Sequence, residues 1–327
     1  MSSARRSIEG REVSAERRPG FHPLRPAHQR DSLPAKCFCQ SLRTGYASNH
    51  LTARTVVMLL RTVAFFVVFG LLTPALADEA TSNLYEVVTI VTGQRAETRE
   101  PGIRRCFVDM LQKVTGDHSL AGNDSVTALA ADAGTFVTAI RYQDRLWKRP
   151  IHDEQGTRDR PFDLTVSFDP GKVDTALRAL GRQPWTVGRP RVAAFVAVRQ
   201  GALTYMVSTD GPHGYGQADA FTDAATKVGV PVTVPSLNAL AAARLLYETL
   251  ATADPASLEN ASASLGATAP LVGTMAFSDA DFGWIVDWRF AWHGTVHRWQ
   301  VKGVNFDAAF VNGLRGVAQI ASDHGSP

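Results

Sequence analysis

Cysteine is scarce, three residues in a chain of 327, and this excludes a disulfide scaffold. Cys37 and Cys39 lie near the start, and Cys106 is the only thiol after them. The rest of the chain is long enough to build an ordinary apolar core without a cross-link. Signatures of catalysis are missing as well. The sequence has no G-x-S-x-G elbow, no S-x-x-K, no H-E-x-x-H, and no carboxylates paired at a telling interval. No catalytic residue, cofactor or metal ligand is therefore assigned. Basic runs are absent after residue 57, which argues against nucleic acid as a partner. No internal repeat is present.

Long apolar runs are equally rare, and the exception is informative. In Met58 to Ala77, MLLRTVAFFVVFGLLTPALA, Arg61 gives a positive start, Thr62 to Leu72 is uncharged and apolar, and Pro74 breaks the helix. Ala75 and Ala77 then form a small-x-small cleavage site. That order predicts a secretory signal peptide over 58–77 and a mature chain beginning at Asp78, released into the periplasm without a membrane anchor. The alternative is an uncleaved signal that anchors the protein in the inner membrane, although the run falls short of the roughly 20 apolar residues a span needs. Residues 1–57 are rich in Arg, Pro and Ser and lack an apolar period, which predicts a disordered or untranslated stretch, with Met58 as the true start. The net charge of +3 arises in this upstream part; from Asp78 onward acidic residues outnumber basic ones.

The remainder reads as alternating strands and helices. Residues 84–92 are β-rich. A helix follows to about Val114, with Ile103, Phe107, Met110, Leu111 and Val114 on one face, Pro101 in its first turn or kinking it, and Gly116 as its stop. Cys106 falls on the same face and is expected to be buried. A weaker helix over 123–133, strands over 136–147 and 161–168, and a helix capped by Asp169 complete a β-α-β-β-α module, assigned to 78–183. A Gly-, Pro- and Arg-rich stretch around 181–190 marks the boundary with a second module, 184–327. There Val192 to Val198 is a continuous apolar run typical of a central strand. Residues 203–208 and 231–234 are strands, 217–229 and 255–265 are helices, and Ser236 caps a long apolar helix through Leu250. Strands over 270–277, 282–291 and 295–302 and a helix opened by Asn305 finish the chain. The fold class is α/β with α+β character: a small module followed by a layered mixed-sheet domain.

Four features invite a functional reading. A strand over 282–292 places Trp284, Trp288 and Trp292 on one face with Val286 and Phe290, and Asp287 and Arg289 on the other. The aromatic face is expected to be core, and a stacking surface for cell-wall glycan is the alternative. The Gly-rich loop TDGPHGYGQ, with Gly211, His213, Gly214 and Gly216, lacks a following Lys-Ser/Thr and reads as a flexible connection. His293 and His297 have no third ligand. Asp279 and Asp281 have a turn composition.

Several segments together resemble a known family. LYEVVTIVTGQRAETR with LQKVTG, VSFDPGKVDTALRALG, GRPRV, GVPVTVPSLNA, ASLGATAPLVGTM and the pair Trp284 and Trp288 are similar to the bacterial domain-of-unknown-function family 2066, over about residues 84–323. The resemblance implies an exported protein and no assigned activity. The second module also resembles α/β envelope accessory domains, such as the curli-secretion lipoprotein type, the amino-terminal domain of the Tol translocation protein and penicillin-binding-protein activators. The resulting expectation is a non-enzymatic periplasmic accessory or adaptor protein that binds another envelope protein. A glycan-binding module and an unrecognised enzyme are the alternatives.

Overall fold

A computed structural model describes residues 83–148 and 159–327. The expected signal peptide, with Ala75 and Ala77, and the upstream stretch lie outside the described residues. All described residues belong to the compact unit Phe66–Pro327, a mixed α/β structure with two sheets.

The first sheet contains β1 (Glu86–Thr92), β2 (Val137–Asp144) and β3 (Pro161–Phe168) in the antiparallel order β1-β3-β2. Val87 and Val91 alternate with exposed residues, so one face is apolar. The helix α1 (Ala96–Thr115) covers it with Ile103, Cys106, Phe107, Met110, Leu111 and Val114, all buried. Pro101 sits beyond the first turn of this continuous helix, where it has no N–H to offer Glu97. Gly116 adopts φ 76° and returns its N–H to Gln112, ending α1 as a left-handed cap. The short α2 (Asp124–Ala131) and α3 (Pro170–Ala179) follow; the Asp169 carboxylate caps α3 by accepting from the Lys172 N–H at 3.0 Å.

The second sheet runs β5-β4-β7-β8-β9, with the short β6 also on β4. Its strands are β4 (Val192–Gln200), β5 (Leu203–Met206), β6 (Val232–Thr233), β7 (Ala269–Ser278), β8 (Gly283–Trp292) and β9 (Thr295–Val304). β4 is parallel to β6 and β7, and the other pairs are antiparallel. One face carries α4 (Gln217–Val228) and α8 (Phe306–Ala321). Phe221 and Phe310 stack there at 4.2 Å, and Phe221 meets Trp288 edge-on at 6.2 Å. The opposite face carries α5 (Leu237–Ala242), α6 (Tyr247–Leu250) and α7 (Pro255–Ser264), whose leucines pack on Ala193, Phe195, Ala197 and Val272.

One expected element is broken. The single helix from Ser236 to Leu250 is two, α5 and α6, separated at Arg244, which adopts φ 55°. Leu245 N–H returns to the Leu240 carbonyl, so the left-handed residue ends α5 and turns Leu245 into the core. No glycine announces this stop.

The two sheets are joined through α1. Arg189 donates to the carbonyls of Lys113, Val114 and Gly229, and the Trp185 N–H donates to Val114. Among the described residues, no helix is long and apolar enough to cross a membrane.

Candidate functional site

The helices α5 to α7 cover only part of their face of the second sheet. Their leucines reach Val272 on β7 and stop. Beyond it the cross-strand register builds three short rows. Ala291 lies opposite Val296, Arg289 is between Val272 and Arg298, and Asp287 is between Thr274 and Gln300. Residues directly opposite in antiparallel strands point to the same side, so these side chains share the uncovered face. An open cavity of ≈ 530 Å³ runs along the two polar rows. A second of ≈ 60 Å³ adjoins it, lined by Pro255, Leu258, Ala291 and Val296, and both are bordered by Val272, Arg289 and Arg298.

The charge arrangement here is unusual. Like charges directly opposite on neighbouring strands destabilise a sheet, yet Arg289 faces Arg298 in register. Arg289 donates to the Leu250 carbonyl at the end of α6, at 3.3 Å. Burial, and then the neighbouring Arg298, lower its affinity for the proton. Asp287, one row away, is engaged by the Gln300 amide at 2.6 Å. Among the described residues, neither arginine has a carboxylate within ion-pair distance. β9 is also the edge strand of the described sheet.

The tryptophan face is core. Trp284 and Trp288 are buried beneath α4 and α8, while Trp292 is half-buried, with its ring stacked on Phe290 at 5.6 Å. These rings therefore offer no continuous stacking surface for a sugar. Gly273 and Gly313 make room for Trp288: a Cβ on Gly273 would stand 2.6 Å from its ring, and one on Gly313 2.8 Å. Asp287 and Arg289 lie on the other side, as the alternation predicts, but they engage Gln300 and Leu250 rather than each other.

The remaining candidates are scattered. His213 is exposed and lies 5.7 Å from the Tyr205 ring. His293 and Gly294, both at positive φ, form the two-residue turn between β8 and β9, whereas His297 is within β9 opposite Phe290. Asp281 accepts from the Ser278 hydroxyl in the turn between β7 and β8. Among the described residues, no three His, Cys, Asp or Glu side chains gather as metal ligands. Cys106 is fully buried against the Val87 carbonyl; burial and then Asp109 push its thiol up to about 12.

Sequence reasoning missed one constellation that only the fold assembles. Ser322 Oγ lies 2.8 Å from His324 Nδ1, and His324 Nε2 lies 4.0 Å from Asp117 Oδ2. The order serine, histidine, aspartate is that of a hydrolase, but the surroundings are structural. Asp117 is buried and already accepts from Ser119 and from Arg182 Nε at 2.7 Å. Burial raises the proton affinity of its carboxyl, and these hydrogen bonds outweigh that effect and hold it below the usual range. Ser322 caps the end of α8 against Gly116, and neither cavity described above reaches it. The row fastens the end of the chain to the loop after α1.

Residues 79–186 match a family described as a domain of unknown function, DUF8605. The matched span includes the first sheet and α1 to α3 and ends before β4. This overturns the resemblance to family 2066. Of the segments behind that resemblance, those within the matched span encode a strand, a glycine-stopped helix and an aspartate-capped helix, and the others lie in the second module, beyond it. No curated protein and no solved structure matches the chain.

Proposed function

We propose that the chain is exported and works as a non-enzymatic accessory or adaptor module of the cell envelope, binding an extended segment of another protein along β9. The observation that supports this best is the half-covered second sheet: a ten-residue edge strand lies beside an open groove. An edge strand presents a row of unpaired backbone N–H and C=O groups, and strand addition is a recurring way to recognise a peptide. Arg298 and Lys302 make this edge basic, which disfavours pairing with a second copy of itself. Export rests on the pattern over Met58–Ala77.

Two measurements test the reading. Fractionation with N-terminal sequencing should find a mature chain starting at Asp78 in the periplasm, and a full-length cytoplasmic chain would refute export. Photo-cross-linkers placed at Thr295 and Lys302 in living cells should capture one partner, whereas a linker at Ser257 on α7 should not. In that complex, hydrogen exchange should show new protection over Thr295–Val304. Equal capture from Ser257, or protection only elsewhere, would refute docking on β9.

A further inference from the structure

We infer that Arg289 and Arg298 form a carboxylate-recognising pair, so that the segment taken up along β9 carries an acidic side chain. The inference rests on the adaptor reading and adds the chemistry of the partner.

The two guanidinium groups face each other across one strand pair, and among the described residues no carboxylate lies within ion-pair distance of either; Asp287 in the next row is held by Gln300. Arg289 uses one donor on the Leu250 carbonyl, and a guanidinium has five N–H donors in all. Arg298 is exposed and has no ion-pair partner among the described residues. The side chains therefore line the groove with unused donors in a fork suited to a carboxylate. An anion placed between them removes the mutual repulsion as it binds, so the unfavourable pairing in the free protein becomes a source of affinity.

The register says where that anion comes from. A partner strand paired with β9 extends each cross-strand row by one residue, with directly opposite Cβ atoms about 5 Å apart. The row Val272, Arg289, Arg298 would continue into a partner side chain beside Arg298, where Asp or Glu meets the Arg298 guanidinium first and lies in the same row as Arg289. The next row ends in Gln300 and already contains Asp287 held by that amide, so it favours a neutral polar residue. The row on the other side ends in Val296, beside Ala291 and the small apolar cavity, and favours an apolar residue. Because alternate residues of a strand share a face, the recognised segment reads apolar, any, acidic, any, polar along β9.

The test uses the full chain with the photo-cross-linker at Lys302. Arg298→Gln should reduce the in-cell adduct, Arg298→Glu should abolish it, and Arg298→Lys should retain part. Arg298 is exposed, so these variants should keep the fold, which circular dichroism checks. In vitro, fluorescence anisotropy follows a synthetic peptide of that pattern carrying Glu and its Gln counterpart. The Glu peptide should bind with a salt-dependent affinity that falls by roughly tenfold in Arg298→Gln. Equal binding of the Gln peptide, or no binding of the Glu peptide, would overturn acid recognition. An adduct that survives Arg298→Glu would also overturn it while leaving docking on β9 intact. Absence of any adduct from wild type would remove the adaptor reading itself. Arg298-dependent binding to phosphatidylglycerol vesicles, with neither peptide bound, would assign the pair to lipid and overturn the inference.

Discussion

The guanidinium of Arg189 lies 4.2 Å from the centroid of the Trp185 ring, four residues earlier in the chain. Its nitrogens donate to the carbonyls of Trp185, Lys113, Val114 and Gly229 at 2.6 to 3.0 Å. These oxygens belong to the linker, to the last turn of α1 and to the residue ending α4, so one side chain binds three segments together.

Arg189→Ala should therefore cost about 2–4 kcal/mol, because several buried carbonyls lose a charged donor at once. Arg189→Lys should recover little, since an ammonium cannot reproduce the planar fork or the ring contact. Urea denaturation of the three proteins measures this. A Lys variant as stable as wild type would show that the charge matters and the fork does not.

Trp288 gives a second test. Trp288→Ala should cost about 3–5 kcal/mol, while Trp288→Phe should cost less, because Nε1 of this buried ring has no hydrogen-bond partner among the described residues. Gly313→Ala places a Cβ 2.8 Å from the same ring and should cost about 1–3 kcal/mol by overpacking. If that clash is the cause, the double variant Gly313→Ala, Trp288→Phe should be more stable than the sum of the single effects allows.

Cys106 should resist thiol reagents in the native state at pH 8. Its thiol is fully buried and shifted up to about 12, so little reactive thiolate forms. Labelling should become rapid in denaturant. Rapid native labelling would contradict the packing of α1 on β1.

The fold should also lose stability in mild acid through His118. Nδ1 faces the Gln112 side-chain oxygen at 3.1 Å, and Nε2 is buried without a partner among the described residues. Burial, and then Arg315, lower this imidazole to about 3. Below an unfolded value of about 6.5 the unfolded chain binds the proton more readily, so stability falls as pH drops from about 6.5 toward 3. The loss should be on the order of 1–2 kcal/mol by about pH 5. His118→Gln should flatten this slope in denaturation curves taken at several pH values. An unchanged slope would place the sensitivity elsewhere.

Much of the fold was legible because its punctuation is local. Asp169, Ser236 and Asn305 each cap a helix with a side-chain acceptor, and Gly116 ends α1 at positive φ. These residues act on the turn beside them, so sequence alone reveals them. The break at Arg244 was hidden because an arginine can be forced into the left-handed region by the burial of Leu245, which is a tertiary effect. The candidate site was mostly hidden too. Alternation placed Arg289 away from the tryptophans, but its opposition to Arg298 depends on the register of β8 with β9, and the groove depends on where α7 stops. The link from Ser322 and His324 to Asp117 joins the segment after α8 to the loop after α1, far apart in sequence, and left no trace in spacing.

The pairing of β4 with β7 has a consequence for how the chain reaches its fold. Val192 finds Ala269 only after α4 to α7 have been made, so a large loop must close before the central parallel ladder forms. The meander from β7 to β9 and the helix after it are local by comparison and can assemble on their own schedule. During synthesis, the unbroken apolar run of β4 must therefore wait, exposed, for a partner strand that appears late. That interval is when the nascent chain is most prone to aggregation and when a holding chaperone would find its clearest target.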